Sequence, residues 1–201
     1  GDKVAYIDHI DINRQAFIDK LIQVCNALSI HPSWLMIVMR IESNFNRKII
    51  NKYSGTVGLI QWTISNAAKH LGMIAPRRLQ FDDDGQLIPT AQVINIQRAM
   101  QNKTGVQQLD YIHDYLLPYI GRLNSVFDIY FAIFYPVAIG KPNQFVLGSE
   151  RTIAWMRKVY QGNANIDKVF GDNDGKLEVS DVKKWVEAHF PKGYVNTLQN
   201  E

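Results

Sequence analysis

The hydrophobic positions of the chain follow helical spacing over most of its length. Near the N-terminus they recur every three or four residues, at Phe17, Leu21, Val24 and Leu28. Two further runs, residues 34–41 (WLMIVMRI) and 126–135 (VFDIYFAIFY), are apolar on nearly every side, which is typical of helices buried at the centre of a domain. The pattern predicts an all-α globule in which amphipathic helices surround a buried central helix, with little strand.

Capping residues predict the starts of three further helices. Thr90 precedes a helical pattern that runs to about residue 100. Thr104 with Gln107, and Ser125 with Asp128, have the spacing of a capping box, in which two side chains bond each other's backbone N–H groups. The helical interpretation therefore does not depend on hydrophobicity alone.

The helical pattern loosens after about residue 148, and a polar stretch with glycines lies near residues 165–175. We interpret residues 1–160 as one helical domain and residues 161–201 as a small C-terminal tail. No internal repeat and no low-complexity segment separates the two parts, so the boundary rests on this change of pattern.

Composition and charge exclude several classes of protein. The chain carries 22 Lys and Arg against 19 Asp and Glu, a formal net charge of +3, and its basic residues are scattered. A nucleic-acid-binding protein typically carries a basic stripe, so we expect no nucleic-acid partner. No apolar run reaches the roughly 18 residues of a membrane span, and the N-terminus lacks the pattern of a secretion signal.

One acidic residue directly follows the first apolar run. Glu42 lies near the end of the segment WLMIVMRIES, in the last turn of a predicted buried helix. A carboxylate against an apolar wall is costly unless it is paired, exposed or protonated. Residues 54–62 (SGTVGLIQW) then form a loop with two glycines that ends in an amide and an indole, Gln61 and Trp62.

Together these two blocks resemble the soluble lytic transglycosylase and goose-type lysozyme group of peptidoglycan-cleaving enzymes, in the lysozyme-like superfamily. The resemblance rests on E-S-x-F-N at residues 42–46 and S-G-x-x-G-L-I-Q at residues 54–61, and extends more weakly to the aromatic segment 131–135. It implies a lysozyme-like helical fold and cleavage of the β-1,4 bond between N-acetylmuramic acid and N-acetylglucosamine.

The resemblance also implies roles for single residues. Glu42 matches the catalytic acid of the family. Ser43 and Gln61 match residues that position the saccharide or the acid, and Tyr135 matches the tyrosine of a later aromatic block. Trp62 offers a ring on which a sugar face can stack. Relatives often have asparagine after that tyrosine, whereas a proline follows it here.

The chemistry requires a carboxyl group that keeps its proton near neutral pH, because cleavage needs a proton delivered to the leaving oxygen. An ordinary glutamate, with a pKa of about 4.3, is protonated only about one time in 500 at pH 7. Apolar packing and the negative end of a helix dipole both favour the protonated form, so a last-turn position suits Glu42 to this task.

A second carboxylate, which many glycosidases use, has no clear place in the sequence. Residues 82–84 are aspartates in an irregular loop, and Asp110, Asp114 and Asp128 fall on predicted helices where a solvated face or a cap explains them. The resemblance implies that one acid suffices in lytic transglycosylases, where substituents of the sugar complete a 1,6-anhydro product. We expect this route, and hydrolysis by a lysozyme stays open.

Other interpretations of the same residues stay open. Glu42 could end the helix and pair with Arg40 or Lys48, Gln61 could bond only loop backbone, and Trp62 could fill the core. At the level of function, the alternatives are a non-catalytic cell-wall binding module and a glycosidase that acts on chitin or chitosan.

The predicted tail contains an acidic loop of another kind. The run DNDGKL at residues 172–177, followed by Asp181, resembles part of a calcium-binding EF-hand loop. The first ligand position is Phe170 and the last is aspartate rather than glutamate, so two ligands are missing or shortened. One interpretation is calcium at Asp172, Asp174 and Asp181; the other is a turn leading to a helix capped by Ser180.

These observations lead to expectations about partners and location. We expect peptidoglycan glycan strands as substrate, a monomeric protein, and no required cofactor. Peptidoglycan lies outside the cytoplasm, so we expect action in the periplasm or cell wall, or after delivery by a phage or a secretion system. The chain as given shows no leader.

Overall fold

Helices dominate the computed structural model, which describes residues 3–194. That range contains eight α-helices: α1 (Arg14–Leu28), α2 (Pro32–Ser43), α3 (Ile64–Leu71), α4 (Ala91–Gln101), α5 (Gly105–Leu116), α6 (Val126–Phe134), α7 (Ile153–Asn165) and α8 (Val179–Glu187). Within the same range, extended backbone pairs only at isolated bridges, such as the one between Ile50 and Val57. The predicted all-α fold is confirmed.

The predicted capping residues set the starts of three helices. Thr90, Thr104 and Ser125 each accept a hydrogen bond from the backbone N–H three residues later, at the starts of α4, α5 and α6. The side chain of Gln107 accepts from the Thr104 N–H and completes the capping box. The first turn of a helix leaves backbone N–H groups unpaired, so these bonds stabilise the helix starts.

The chain divides into two compact units. Among the described residues, the first unit contains residues 3–5, 29–38 and 119–194, and the second contains residues 6–28 and 39–118. The division falls inside α2, between Val38 and Met39. Helix α7 runs across residue 160 without a break there, and residues 195–201 lie outside the described part. The division into a 1–160 domain and a 161–201 tail stays a prediction.

In the second unit, α1 packs against α5 and α3 packs against α4. The apolar face predicted for α1 is buried, at Phe17, Leu21, Val24 and Leu28. Gly105 is the first residue of α5 and packs against this face, since a Cβ atom there would lie 2.9 Å from Phe17 Cδ2. The absence of a side chain at Gly105 therefore allows the two helices to approach closely.

In the first unit, α6 contacts α8, and α8 contacts a π-helical turn at Ile166–Phe170. Helix α6 buries most of its apolar residues, among them Ile129 and Phe131. The part of α2 that belongs to this unit is equally apolar, and residues 35–38 have no exposed surface. Both helices that were predicted to be apolar on every side are therefore buried.

The amide of Gln108, a buried residue of α5, joins three segments of the second unit. Its Oε1 accepts a hydrogen bond of 3.0 Å from the Leu59 N–H, while Nε2 donates to the carbonyl oxygens of Arg47 (2.9 Å) and Met100 (3.1 Å). Gly58 makes room for this side chain, because a Cβ atom there would lie 2.7 Å from Gln108 Oε1. One side chain thus provides hydrogen-bond partners for backbone groups in three separate segments of the chain.

Within residues 3–194 no single helix has the length and composition of a membrane span, although α1 and α2 together have them as a bent pair.

Replacing Gln108 by leucine should destabilise the protein. The change leaves the buried Leu59 N–H and the part-buried Arg47 carbonyl oxygen without this partner, whereas the Met100 carbonyl still accepts from the Lys103 N–H. An unpaired buried group costs about 1–3 kcal/mol. We expect a loss of at least about 2 kcal/mol in the free energy of unfolding, measured by urea denaturation. Gln15→Leu is the matched control, because Gln15 is exposed and bonds only Asp19 on the surface of α1. Equal midpoints for the two variants would contradict this role of Gln108.

Candidate active site

The end of α2 positions Glu42. The helix ends at Ser43, and the next two residues, Asn44 and Phe45, have positive φ angles of 49° and 63°. Left-handed backbone of this kind turns the chain away from the helix axis. Glu42 therefore lies in the last turn, at the negative end of the helix dipole, as the sequence predicts.

The carboxyl group of Glu42 has no charged partner among residues 3–194. The guanidinium of Arg40 lies 5.7 Å from the centre of the Tyr6 ring, and the structure contains no ion pair of Glu42 with Arg40 or Lys48. Glu42 retains some exposure, yet burial of its carboxyl group raises the pKa from the ordinary value of 4.5 to about 8. The acid therefore keeps its proton at neutral pH.

Ser43 ties the end of α2 to the glycine-containing loop. Its side chain is 3% exposed, and its hydroxyl lies 2.7 Å from the Leu59 carbonyl oxygen and 3.1 Å from that of Met39. The hydroxyl has one proton, which it donates to the nearer Leu59 carbonyl with the Met39 carbonyl as a second, longer acceptor, so it is not directed at solvent. Ser43 thus holds the G-L-I-Q block beside the residue that carries the acid.

Gln61 bonds its own loop. Its φ angle is 58°, and its Oε1 accepts a hydrogen bond from the Thr56 hydroxyl at 2.8 Å. Its Nε2 donates to the carbonyl oxygens of Gly58 at 3.1 Å and Ile49 at 3.4 Å. The amide therefore holds the loop in shape, and a direct contact of Gln61 with saccharide stays a prediction.

Trp62 is buried, with 2% of its surface exposed. Its ring packs at 5.1 Å from the His70 ring and at 5.6 Å, edge to face, from the Tyr115 ring. In this conformation the indole fills the core of the second unit. Stacking of a sugar on Trp62 stays a prediction, and it would need the neighbouring rings to move.

Tyr135 lies in the first unit, directly after α6. Its hydroxyl donates a hydrogen bond to Glu150 Oε2 and accepts one of 2.8 Å from the indole N–H of Trp155. Burial and the hydrogen bond to Glu150 raise the pKa of the Tyr135 hydroxyl, so it stays protonated. The sequence pattern predicted Tyr135, but it did not indicate Glu150 or Trp155.

A cavity of about 510 Å³ opens in the second unit just beyond the end of α2. Apolar, amide and basic side chains share its wall; among them are Phe45, Asn46, Arg47 and Lys48. Glu42 and Gln61 are not among the residues that line it. The cavity therefore adjoins the segment E-S-x-F-N without containing the acid.

Four of the six aspartates considered for a second catalytic carboxylate have structural partners. Asp110 pairs with Lys20 at 2.9 Å, and Asp114 contacts the His113 ring nitrogen at 3.1 Å. Asp82 accepts hydrogen bonds from two backbone N–H groups of its own turn, and Asp128 accepts one from the Asn124 N–H. These partners agree with the expectation that turns, caps and solvated faces explain these residues.

The acidic loop brings four carboxylates together. One oxygen from each of Asp167, Asp172, Asp174 and Asp181 lies within 4.8 Å of the others. Asp167 and Asp181 are buried, at 0% and 1% exposure. Among residues 3–194 none of the four lies within ion-pair distance of a basic group.

The sequence pattern did not indicate Asp167, because the EF-hand register puts the first ligand at Phe170. The π-helical turn at Ile166–Phe170 moves the earlier aspartate into the loop, where its Oδ2 accepts from the Gly175 N–H at 2.9 Å. The signal available in the sequence was modest: Asp167 is the nearest acidic residue before the loop.

The start of α8 differs from the expectation. The helix begins at Val179, and Glu178 with Asp181 forms its capping box, so Ser180 is not the cap. The hydrogen bond with Asp174, then burial and the surrounding negative charges, raise the pKa of Glu178 to about 7. Glu178 is therefore a fifth carboxyl group that interacts electrostatically with the acidic loop.

The chain is all-α, and Glu42 lies in the last turn of a buried helix beside a loop with two glycines. Residues 21–89 match the family model of the transglycosylase SLT domain, which belongs to the lysozyme-like superfamily. The resemblance drawn from residues 42–46 and 54–61 is confirmed; Tyr135 and the acidic loop lie outside the match.

Comparison with curated proteins and with solved structures gives no significant match to this chain.

Glu42→Gln should change how stability depends on pH. Because folding raises the pKa of Glu42, the folded protein binds a proton that the unfolded chain releases, so stability falls as pH rises from about 4.5 towards about 8. Glutamine cannot ionise and escapes this loss. We expect the stability of the variant relative to wild type to increase by about 1–4 kcal/mol between about pH 5 and pH 9, since one pKa unit corresponds to about 1.4 kcal/mol.

Urea unfolding at several pH values measures this difference. Glu187→Gln on α8, an exposed residue, is the control and should give a curve parallel to wild type. A constant offset between Glu42→Gln and wild type at all pH values would contradict the raised pKa.

Proposed function

We propose that this protein is a glycosidase that cleaves peptidoglycan at the β-1,4 bond between N-acetylmuramic acid and N-acetylglucosamine. The match of residues 21–89 to the transglycosylase SLT domain supports a peptidoglycan-cleaving function at the level of the family, and peptidoglycan implies a location outside the cytoplasm. The observation that carries the finer proposal is the unpaired, buried carboxyl group of Glu42, whose pKa is about 8.

In the proposed reaction Glu42 first acts as general acid. Its proton passes to the glycosidic oxygen as the bond from that oxygen to C1 of the muramic acid breaks and positive charge develops on the sugar. The carboxylate left behind is then a base. Because its ionised form is disfavoured by burial, it readily takes a proton back.

The lytic transglycosylase route needs no second carboxylate. The 6-hydroxyl oxygen of the muramic acid bonds to C1 and its proton returns to Glu42, which closes a 1,6-anhydro ring and restores the acid without consuming water. The structural roles found for Asp82, Asp110, Asp114 and Asp128 favour this route over hydrolysis. Hydrolysis by a lysozyme would instead place a water molecule at C1.

The other predicted site residues have supporting roles in this proposal. Ser43 keeps the loop of residues 54–62 against the end of α2, because its hydroxyl bonds the Leu59 carbonyl, and Gln61 holds the loop itself in shape. Tyr135 contacts the saccharide. Trp62 supports the loop from the core rather than stacking on sugar in the conformation described.

Glu42→Gln should lose at least about a hundredfold in activity, because general acid catalysis contributes about 10² to 10⁴. The measurement is the initial rate of turbidity loss with purified peptidoglycan sacculi. Glu187→Gln, which makes the same chemical change on an exposed surface, should keep the wild-type rate. Wild-type activity should also fall above about pH 8, where Glu42 loses its proton.

Four outcomes would contradict parts of this proposal. Equal activity of Glu42→Gln and wild type would show that another residue is the acid. Reducing ends instead of anhydro ends in the mass spectra of the fragments would indicate hydrolysis. Sedimentation of the protein with sacculi without release of fragments would favour a cell-wall binding module, and cleavage of chitin oligomers but not of peptidoglycan would indicate a chitin-directed glycosidase.

We also propose that the acidic loop binds calcium. The supporting observation is the convergence of Asp167, Asp172, Asp174 and Asp181, four carboxylates that form no ion pair among the described residues. Carboxylate oxygens are the ligands that calcium prefers, and a bound cation would offset the repulsion among these carboxyl groups. The ion would then stabilise the turn before α8 and would take no part in cleavage.

Calcium should raise the melting temperature of the protein, and a chelator should reverse the rise, because a ligand that binds only the folded state stabilises it. Asp172→Asn should lose this response, since Asp172 is an exposed member of the four. Asp83→Asn, an exposed aspartate outside the loop, is the matched control and should keep it. No effect of calcium at millimolar concentration would remove the site.

A further inference from the structure

Three elements of the first unit meet at the hydroxyl of Tyr135. The tyrosine follows α6, Glu150 lies in the segment before α7, and Trp155 lies in the first turn of α7. The Tyr135 hydroxyl donates to Glu150 Oε2, and the Trp155 indole N–H donates to the Tyr135 oxygen at 2.8 Å. The indole N–H can only donate, which fixes the direction of this second bond.

Glu150 is itself held in place. Its second oxygen, Oε1, accepts a hydrogen bond of 2.9 Å from the Gly148 N–H. Gly148 has a φ angle of 90°, and a Cβ atom there would lie 2.7 Å from the Cα atom of Met156 in α7. The peptide that fixes Glu150 is therefore packed directly against the backbone of α7, so the carboxylate has a defined position although it is exposed.

The cation beside this cluster acts on Trp155 rather than on Glu150. The guanidinium of Arg151 lies 4.2 Å from the centre of the Trp155 ring, which is within the range of a cation–π contact. Among the described residues Glu150 forms no ion pair. Both carboxylate oxygens of Glu150 therefore act as hydrogen-bond acceptors for Gly148 and Tyr135.

These bonds determine what Tyr135 can offer to a ligand. A phenolic hydroxyl has one proton, and here Glu150 takes it. The Trp155 indole N–H occupies one lone pair of the Tyr135 oxygen, so the oxygen can bond a ligand only as an acceptor, through its second lone pair. Amino sugars carry suitable donors, namely ring hydroxyl groups and the N–H of the acetamido group.

We propose that Glu150 is a positioning residue, which fixes Tyr135 as a hydrogen-bond acceptor for a hydroxyl or acetamido N–H of the amino sugar. This inference rests on the proposed function, in which Tyr135 contacts the saccharide. Glu150 does not touch the substrate and acts through the direction of the Tyr135 O–H bond. Trp155 supports the same arrangement from the other side of the phenolic oxygen.

Glu150→Gln is the informative substitution, because glutamine has one acceptor oxygen where glutamate has two. If that oxygen keeps the Gly148 N–H, the new NH₂ group faces Tyr135 and forces its hydroxyl to turn its proton outward. Tyr135 would then donate where the substrate also donates. We expect kcat/KM on soluble peptidoglycan oligosaccharides to fall about tenfold, mainly through KM, because one hydrogen bond to the ligand is lost.

A double-mutant cycle separates positioning from a general structural effect. Tyr135→Phe removes the hydroxyl on which Glu150 acts, so Glu150→Gln should have no further effect in that background. Glu187→Gln is the matched control and should leave kcat/KM unchanged with or without Tyr135→Phe. Additive effects of Glu150→Gln and Tyr135→Phe would overturn the inference while leaving the proposed function intact.

A second readout does not depend on cleavage. The difference in phenolate absorbance between wild type and Tyr135→Phe during a pH titration reports the ionisation of Tyr135. The hydrogen bond to Glu150 raises the pKa of Tyr135, so Glu150→Gln should lower it. An unchanged pKa would overturn the inference even in an active enzyme. Absence of any cleavage by the wild-type protein, with the pKa lowered as expected, would overturn the proposed function and leave the Glu150–Tyr135 contact established.

Discussion

The burial of one carboxyl group is the constraint on which the candidate site depends. Glu42 ends a helix whose residues 35–39 have no exposed surface, and no basic residue of the described chain pairs with it. A charge in that position would be costly, so the fold favours the protonated acid. The same burial that would count against stability in an ordinary protein provides a proton donor at neutral pH.

The loop beside Glu42 is kept in place by side-chain hydrogen bonds as well as by isolated backbone bridges such as that between Val57 and Trp62. Ser43 bonds the Leu59 carbonyl, Gln61 bonds the Gly58 carbonyl, and Gln108 bonds the Leu59 N–H from α5. Paired backbone groups of this kind make an irregular segment as well defined as a regular one. A site built on such a loop needs little rearrangement before it meets a substrate, and this preorganisation favours catalysis.

Much of the helical framework could be predicted from the sequence, because helix periodicity and capping are local properties. Thr90, Thr104 and Ser125 cap helices as their spacing predicts, and Glu42 lies in the last turn of a buried helix. Two features that the sequence did not predict depend on backbone geometry that the spacing of residues does not encode. A π-helical turn brings Asp167 into the acidic loop, and Glu178 takes the capping position expected of Ser180.

The side-chain bonds that organise the site were beyond sequence reasoning for another reason. Gln108 lies 49 residues from Leu59, and Trp155 lies 20 residues from Tyr135. A single polar residue at such a distance gives no periodic signal, and its partner is a backbone atom or a hydroxyl that many side chains could bond. Only the tertiary packing of α5 and α7 selects these pairs.

The amide of Gln108 has a consequence for protein engineering. A designer who transplanted residues 54–62 into another helical scaffold would carry over the glycines and Gln61 but would leave behind the carboxamide that closes the loop from α5. The transplanted segment would then expose an unpaired amide hydrogen and lose its shape. A portable version of this motif must include a glutamine on a neighbouring helix, together with a glycine opposite it that leaves space for the side chain.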